Sequence, residues 1–192
     1  MLMKRIAILL LLTFQVMTVR SQVIRPFTAA PTDREPLGGV VKVFHPYAFD
    51  ANAFLAAMPR IPELKNLAGM KSSSATIELP LADGQTQRFF IAGDQVLVPE
   101  VAALYPQIRN FKLLSADGKS YGVLTLSQLG LNGLIITPKG SMYISPFSFN
   151  DAVNHAIYFG EDFTPPAGLS VACGTDDRHM VGASDSCPAR SD

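Results

Sequence analysis

Between Ala75 and Gly93 the chain reads ATIELPLADGQTQRFFIAG. Ile77, Leu79 and Leu81 alternate with other residues, the period of a strand with one buried face, and QRFFIA resumes the alternation after Asp83-Gly84, residues that tolerate positive φ. The pattern predicts a β-hairpin. From Phe111 to Phe147, FKLLSADGKSYGVLTLSQLGLNGLIITPKGSMYISPF carries β-rich runs separated by Asp117-Gly118, Asn132-Gly133 and Lys139-Gly140, so an antiparallel meander with turns at those three places is expected. NHAIYFGEDF, from Asn154 to Phe163, reads as a last strand, and VVKVFHPYAFD, from Val40, as a short strand stopped by Pro46.

Helix signals occur twice. Asp50 is placed to N-cap ANAFLAAM, whose Phe54, Leu55 and Met58 share a face before Pro59 ends the segment. In VPEVAALYPQIRNF, Pro99 and Glu100 suit a first turn, where a missing N–H and a negative charge are both favourable; a helix from about Pro99 to Tyr105 is expected, with Pro106 stopping it. Two short helices beside a hairpin and a meander make an α+β fold of mainly antiparallel sheet.

The ends differ from this middle. Residues 1–21 open with Lys4 and Arg5 and run apolar from Ile6 to Phe14, the organisation of a signal peptide cut at Ser21/Gln22. That apolar run is too short for a stable membrane span, although an uncleaved anchor is the alternative. Residues 22–39, QVIRPFTAAPTDREPLGG, have three prolines and no periodicity and are expected as an extended or loosely ordered leader. A domain at 40–163 follows, and the tail 164–192, rich in Pro, Gly, Ser and Asp, is expected as a linker or mobile end. The sequence therefore predicts a secreted or periplasmic protein with one domain and no membrane association after cleavage.

Charge narrows the partners. Sixteen basic and sixteen acidic residues balance and no Lys/Arg cluster occurs, so nucleic acid and charged membrane surfaces are not expected partners. H-E-x-x-H is absent, since Pro, Ala and Met follow His45, His155 and His179. A phosphate loop and a dinucleotide fingerprint are absent too, and no catalytic residue is assigned. His45 and His155 lie in or beside predicted strands and read as surface or hydrogen-bonded sheet residues. Glu78 is expected on the solvated face of its strand and Asp83 in the service of its turn. No metal or cofactor is assigned to the chain. His179 with Cys173, Asp176 and Cys187 has zinc-ligand chemistry but sits in a single tail segment, whereas structural zinc needs four ligands on a closed scaffold.

IELPLADGQTQRFFIAGDQVLVPEVAALYPQIRNF, then YGVLTLSQLGLNGLIITPKGSMYISPF and YFGEDF, resemble in order and spacing the amino-terminal region of secreted bacterial reprolysin-like zinc metalloproteases, over about Val40 to Phe163. The resemblance implies a propeptide-like domain that aids folding of, or inhibits, a metallopeptidase catalytic domain, in cis or in trans, with zinc only in that partner. The zinc-binding helix of such a peptidase is missing, which leaves a truncated or stand-alone relative, or a fragment of an active secreted metalloendopeptidase. An exported peptide- or protein-binding module is the alternative of another class.

The resemblance also bears on VACGTDDRHM. Cys173-Gly174 is similar to the prodomain Cys-Gly pair that caps the catalytic zinc in animal relatives, and a thiolate in the open coordination position of a catalytic zinc would exclude the attacking water. Cys173 is thus a candidate cap on a partner's zinc. A Cys173–Cys187 disulfide is the competing reading: export permits oxidation, and a loop of about 14 residues would contribute at most about 3 kcal/mol.

Overall fold

The computed structural model describes residues 23–64, 67–72 and 75–165. Its fold is α+β and dominated by a ten-stranded sheet, β1 Val23–Ile24, β2 Phe27–Ala29, β3 His45–Phe49, β4 Thr76–Pro80, β5 Thr86–Asp94, β6 Arg109–Ser115, β7 Tyr121–Ser127, β8 Gly130–Thr137, β9 Gly140–Pro146 and β10 Asn154–Phe159. Two helices accompany it, α1 Ala51–Ala57 and α2 Pro99–Leu104. The hairpin β4–β5 and the meander β6–β9 form as the alternation predicts, and β10 adds to β9.

The strand order runs β1-β4-β5-β6-β7-β8-β9-β10-β3-β2. Its two ends, β1 and β2, are separated in sequence only by Arg25 and Pro26. Two intervening residues span at most about 10 Å, so the sheet must curl until its edges meet. The leader performs the closure: Val23 and Ile24 pair parallel with Thr76 and Ile77, and Phe27 to Ala29 pair antiparallel with Phe49 to Tyr47. Residues expected as extended or loosely ordered therefore supply two strands.

Inside the curl, Phe89, Ile91, Leu113, Leu124, Ile135, Met142 and Ile157 are fully buried. Burying each such side chain contributes about 1.5–3 kcal/mol. Gly133 also faces inward, where a Cβ would lie 2.7 Å from Leu124 Cδ2. The α1 helix is too short to persist alone. Asp50 caps it, accepting from the Ala53 N–H at 2.9 Å, and Phe54 anchors it, fully buried with ring centroids 5.3 Å from Phe111 and 5.8 Å from Phe49.

Two sequence expectations need correction. Asn132-Gly133 is not a turn but lies within β8; the chain reverses at Gln128-Leu129, where Ser127 pairs with Gly130, whose φ is +103°. Pro46 does not stop a strand, since β3 runs through it. A residue's N–H and C=O leave a strand on the same side, and Pro46 O accepts from Ala30 N at 3.2 Å. The missing donor thus falls just past the last residue of β2, where no ladder partner is forfeited.

Candidate binding surface

Among the described residues, the β5–β6 connection carries a run of exposed apolar side chains. Pro99 opens α2 with Glu100 in its first turn, and the Tyr105 N–H closes it on Val101 O before Pro106. Val98, Val101 and Leu104 recur every three residues, a stripe that normally faces a core. Here no residue of the helix is buried: Leu104 is 73% exposed and Val96 65%, with Val98, Val101 and Tyr105 exposed as well. Solvated singly such residues are ordinary, but contiguous ones mark an interaction site.

An open cleft of about 380 Å³ lies beside this segment, walled by Met58, Ile61, Ala102, Ile108 and Phe111. Glu63, Arg109 and Asn110 supply its polar atoms, together with Asp94, whose Oδ1 is 2.8 Å from Lys112 Nζ. Its lining thus combines apolar side chains with both signs of charge. A second opening, about 310 Å³, is lined by Leu81, Gln87, Met142 and Phe159, with Asp83 and Lys139 paired at 2.7 Å.

The other residues singled out by sequence have structural partners. Glu78 accepts hydrogen bonds from Arg25 and from Arg88 Nη2, at 2.8 Å for the latter, and these bonds hold its carboxyl below the usual carboxylate range. Asp83 is likewise lowered, chiefly by the Lys139 hydrogen bond and then by the Gln85 N–H, donated at 3.1 Å within the turn. Each carboxylate is neutralised by its own neighbours, which is not the arrangement of a shared acid–base pair. His45 is half-buried, its ring against the Gly84 turn.

His155 is fully buried. Its Nε2 accepts from Leu131 N at 3.1 Å and its Nδ1 lies 3.0 Å from Val153 O, which assigns the proton to Nδ1. Phe27 and Phe49 meet the ring edge to face at 5.7 and 5.4 Å. Both nitrogens are committed to backbone, and burial lowers its basicity. Cys173, Cys187, Asp176 and His179 lie outside the described residues. Among the described residues no group of three or more His, Cys, Asp and Glu could hold a metal ion, and no helix is long and apolar enough to cross a membrane.

Sequence reasoning placed α2 correctly but did not select its apolar stripe as a site. The available signal was Val96, Val98, Val101 and Leu104 crowded between two prolines in a segment too short to cover them. No family model, no curated protein and no solved structure matches the chain.

Proposed function

We propose that the chain is an exported, non-catalytic, propeptide-like domain that folds with, and masks, a reprolysin-like zinc peptidase domain. The observation that carries the reading is the exposed α2 segment beside its cleft. VPEVAALYPQIRNF is part of the stretch that resembles the protease amino-terminal region, and it is also the segment that leaves its apolar stripe in water. A mask of this kind grips its partner with an uncovered apolar surface and needs no nucleophile or metal of its own. Cleavage within the tail 164–192 would release it.

The test is a peptide-cleavage assay of a reprolysin-like catalytic domain titrated with the exported chain. Inhibition at micromolar concentration is expected, weakened at least tenfold by Leu104→Glu. Absence of both binding and inhibition overturns the proposal and leaves an exported module for some other partner. The same titration with Cys173→Ser, alongside intact masses before and after reduction, separates a thiolate cap from a Cys173–Cys187 disulfide. Two free thiols, with inhibition lost in Cys173→Ser, support the cap, whereas a mass two hydrogens short in the unreduced chain supports the disulfide.

A further inference from the structure

Polar side chains belong on the outer positions of a sheet wrapped round an apolar core, yet at one end of this sheet they stand inside. Residues two apart on a strand, or directly opposite on paired strands, share a face, so the inward rows can be followed strand by strand. On β5 the inward Phe89 is preceded by Gln87, which pairs with the fully buried Leu79. On β8 the inward Ile135 is followed by Thr137. Ser115 pairs with Phe89, and Ser120 lies opposite Ser115, donating its N–H to Ser115 Oγ at 2.9 Å and accepting from Ser115 N at 2.8 Å. Gln87, Ser120 and Thr137 therefore make the last inward layer, where Phe, Leu and Ile fill the layers behind it. At the opposite end of β7 and β8 the corresponding inward residues are the buried Leu126 and Leu131. The polar layer opens into the cavity of about 310 Å³ that Leu81, Met142 and Phe159 also line.

Most polar atoms around this cavity are already engaged. Thr137 Oγ1 donates to Gly140 O at 2.9 Å, and Asp117 Oδ1 accepts from Ser115 Oγ and from the Lys119 N–H. The Asp83–Lys139 pair ties the β4–β5 turn to the β8–β9 turn, with β6 and β7 between them in the strand order. The Ala82 N–H, donated to Met142 Sδ at 3.1 Å, holds the same β4–β5 turn over the end of the sheet. Ser120 differs. It is only 3% exposed and lines the cavity, and among the described residues its hydroxyl makes no hydrogen bond. The amide of the half-buried Gln87 makes none either. A hydroxyl withdrawn from bulk water without a partner is costly, which directs attention to what the cavity can hold.

The chemistry of the free groups selects the ligand. A hydroxyl and a primary amide each donate and accept and carry no charge. The charged groups nearby are bonded to one another or within their turns, and Leu81, Met142 and Phe159 add apolar wall. About 310 Å³ is the small end of ligand pockets. A matching molecule is compact and uncharged, with hydroxyls along one edge and C–H surface along another. We infer that the cavity between the β4–β5 turn and the ends of β7 and β8 binds a neutral monosaccharide. Ser120 Oγ and the Gln87 amide bond its hydroxyls, and Met142 and Phe159 meet its C–H surface. This site does not depend on the peptidase reading.

The test is an amide chemical-shift titration of the full exported chain, labelled with nitrogen-15, against glucose and N-acetylglucosamine. Glucosamine and glucuronic acid serve as charged counterparts. Saturable shifts confined to residues 81–87, 117–122 and 137–142 are expected for a neutral sugar, with a dissociation constant below about 1 mM. Ser120→Ala and Gln87→Leu should each weaken binding at least tenfold, and Glu161→Lys should leave it unchanged, with circular dichroism checking that each variant is folded. If a variant fails to fold, the position of the shifts in the wild-type chain decides. No saturable shift with either neutral sugar overturns the inference. Shifts centred elsewhere, or affinity that survives both substitutions, overturn it in favour of another surface. Binding of the charged sugars alone overturns it in favour of a ligand that breaks the Asp83–Lys139 pair.

Discussion

Acidifying the protein from pH 7.5 to 5 should weaken it through one residue, His155. Its Nε2 is an acceptor for the buried Leu131 N–H, and Gly130 leaves no room beside it, since a Cβ there would stand 3.1 Å from Nε2. Protonation turns that acceptor into a donor facing a donor, and places a charge among Phe27, Phe49 and the sheet. Burial is the largest influence and lowers the pKa below its ordinary value, against the opposing pull of the Val153 and Leu131 backbone and the Asp151 charge. The sign follows from linkage. The unfolded chain binds the proton more readily, so the stability His155 contributes is complete above the unfolded value of about 6.5 and is lost as pH falls below it. One proton gives a slope of at most about 1.4 kcal/mol per pH unit, out of a total of about 5–15 kcal/mol.

His155→Ala fixes the magnitude independently. It orphans the Leu131 N–H, costing about 1–3 kcal/mol, and removes a ring packed between two aromatic neighbours, costing about 2 kcal/mol more. A loss of about 3–5 kcal/mol at pH 7.5 is expected, with the pH 5–6.5 slope abolished. The chain has no Trp, so urea unfolding is followed by circular dichroism at several pH values. Glu78, Asp83, Asp117 and Asp151 are all lowered, so their stabilisation is lost only below about pH 4, outside this window. A wild-type stability that is flat between pH 7.5 and 5, or a slope that survives His155→Ala, refutes the reasoning.

Three further outcomes test the fold. Gly133→Ala should cost about 1–3 kcal/mol by overpacking against Leu124, read by urea denaturation, whereas the same change at Gly140, which has open space around it, meets only backbone strain from its φ of +134°. Asp50→Ala should cost about 1 kcal/mol by removing the cap on the Ala53 N–H, measured as a shift in the unfolding midpoint. Deleting residues 22–29 should abolish cooperative unfolding, because it removes both strands that close the sheet; a truncated chain that melts like wild type would show that closure is dispensable.

What sequence revealed was local chemistry. The β4–β5 hairpin was legible because Asp83-Gly84 and the alternation around it act within a dozen residues, and α1 because Asp50 and Pro59 bracket it. Asn132-Gly133 misled because glycine serves two purposes that look alike in a sequence: Gly130 supplies a positive φ at the real turn, while Gly133 supplies space under Leu124. The leader was opaque for another reason. Its pairing joins Ile24 to Ile77 and Phe27 to Phe49, and such register depends on curvature accumulated over the whole sheet. The helix α2 was legible from Pro99, Glu100 and Pro106, but those local signals do not say whether its apolar residues face inward, since a core face and a docking face have the same spacing.

Closure by the leader also bears on how a mask of this build would let go. Phe27 of β2 packs on Phe49 and on His155, and Arg25, between the two leader strands, binds Glu78 on β4. A cut inside residues 23–29 would open the sheet and expose the core that positions α2. Among the described residues the last backbone clasp runs from the Thr164 N–H to Val40 O at 2.7 Å, and Val41 pairs with Phe163 just before it. Cleavage past Thr164 leaves every strand of the sheet intact. Under the proposed function, release therefore belongs on the carboxyl side, where the domain can be separated from its partner while keeping its own fold.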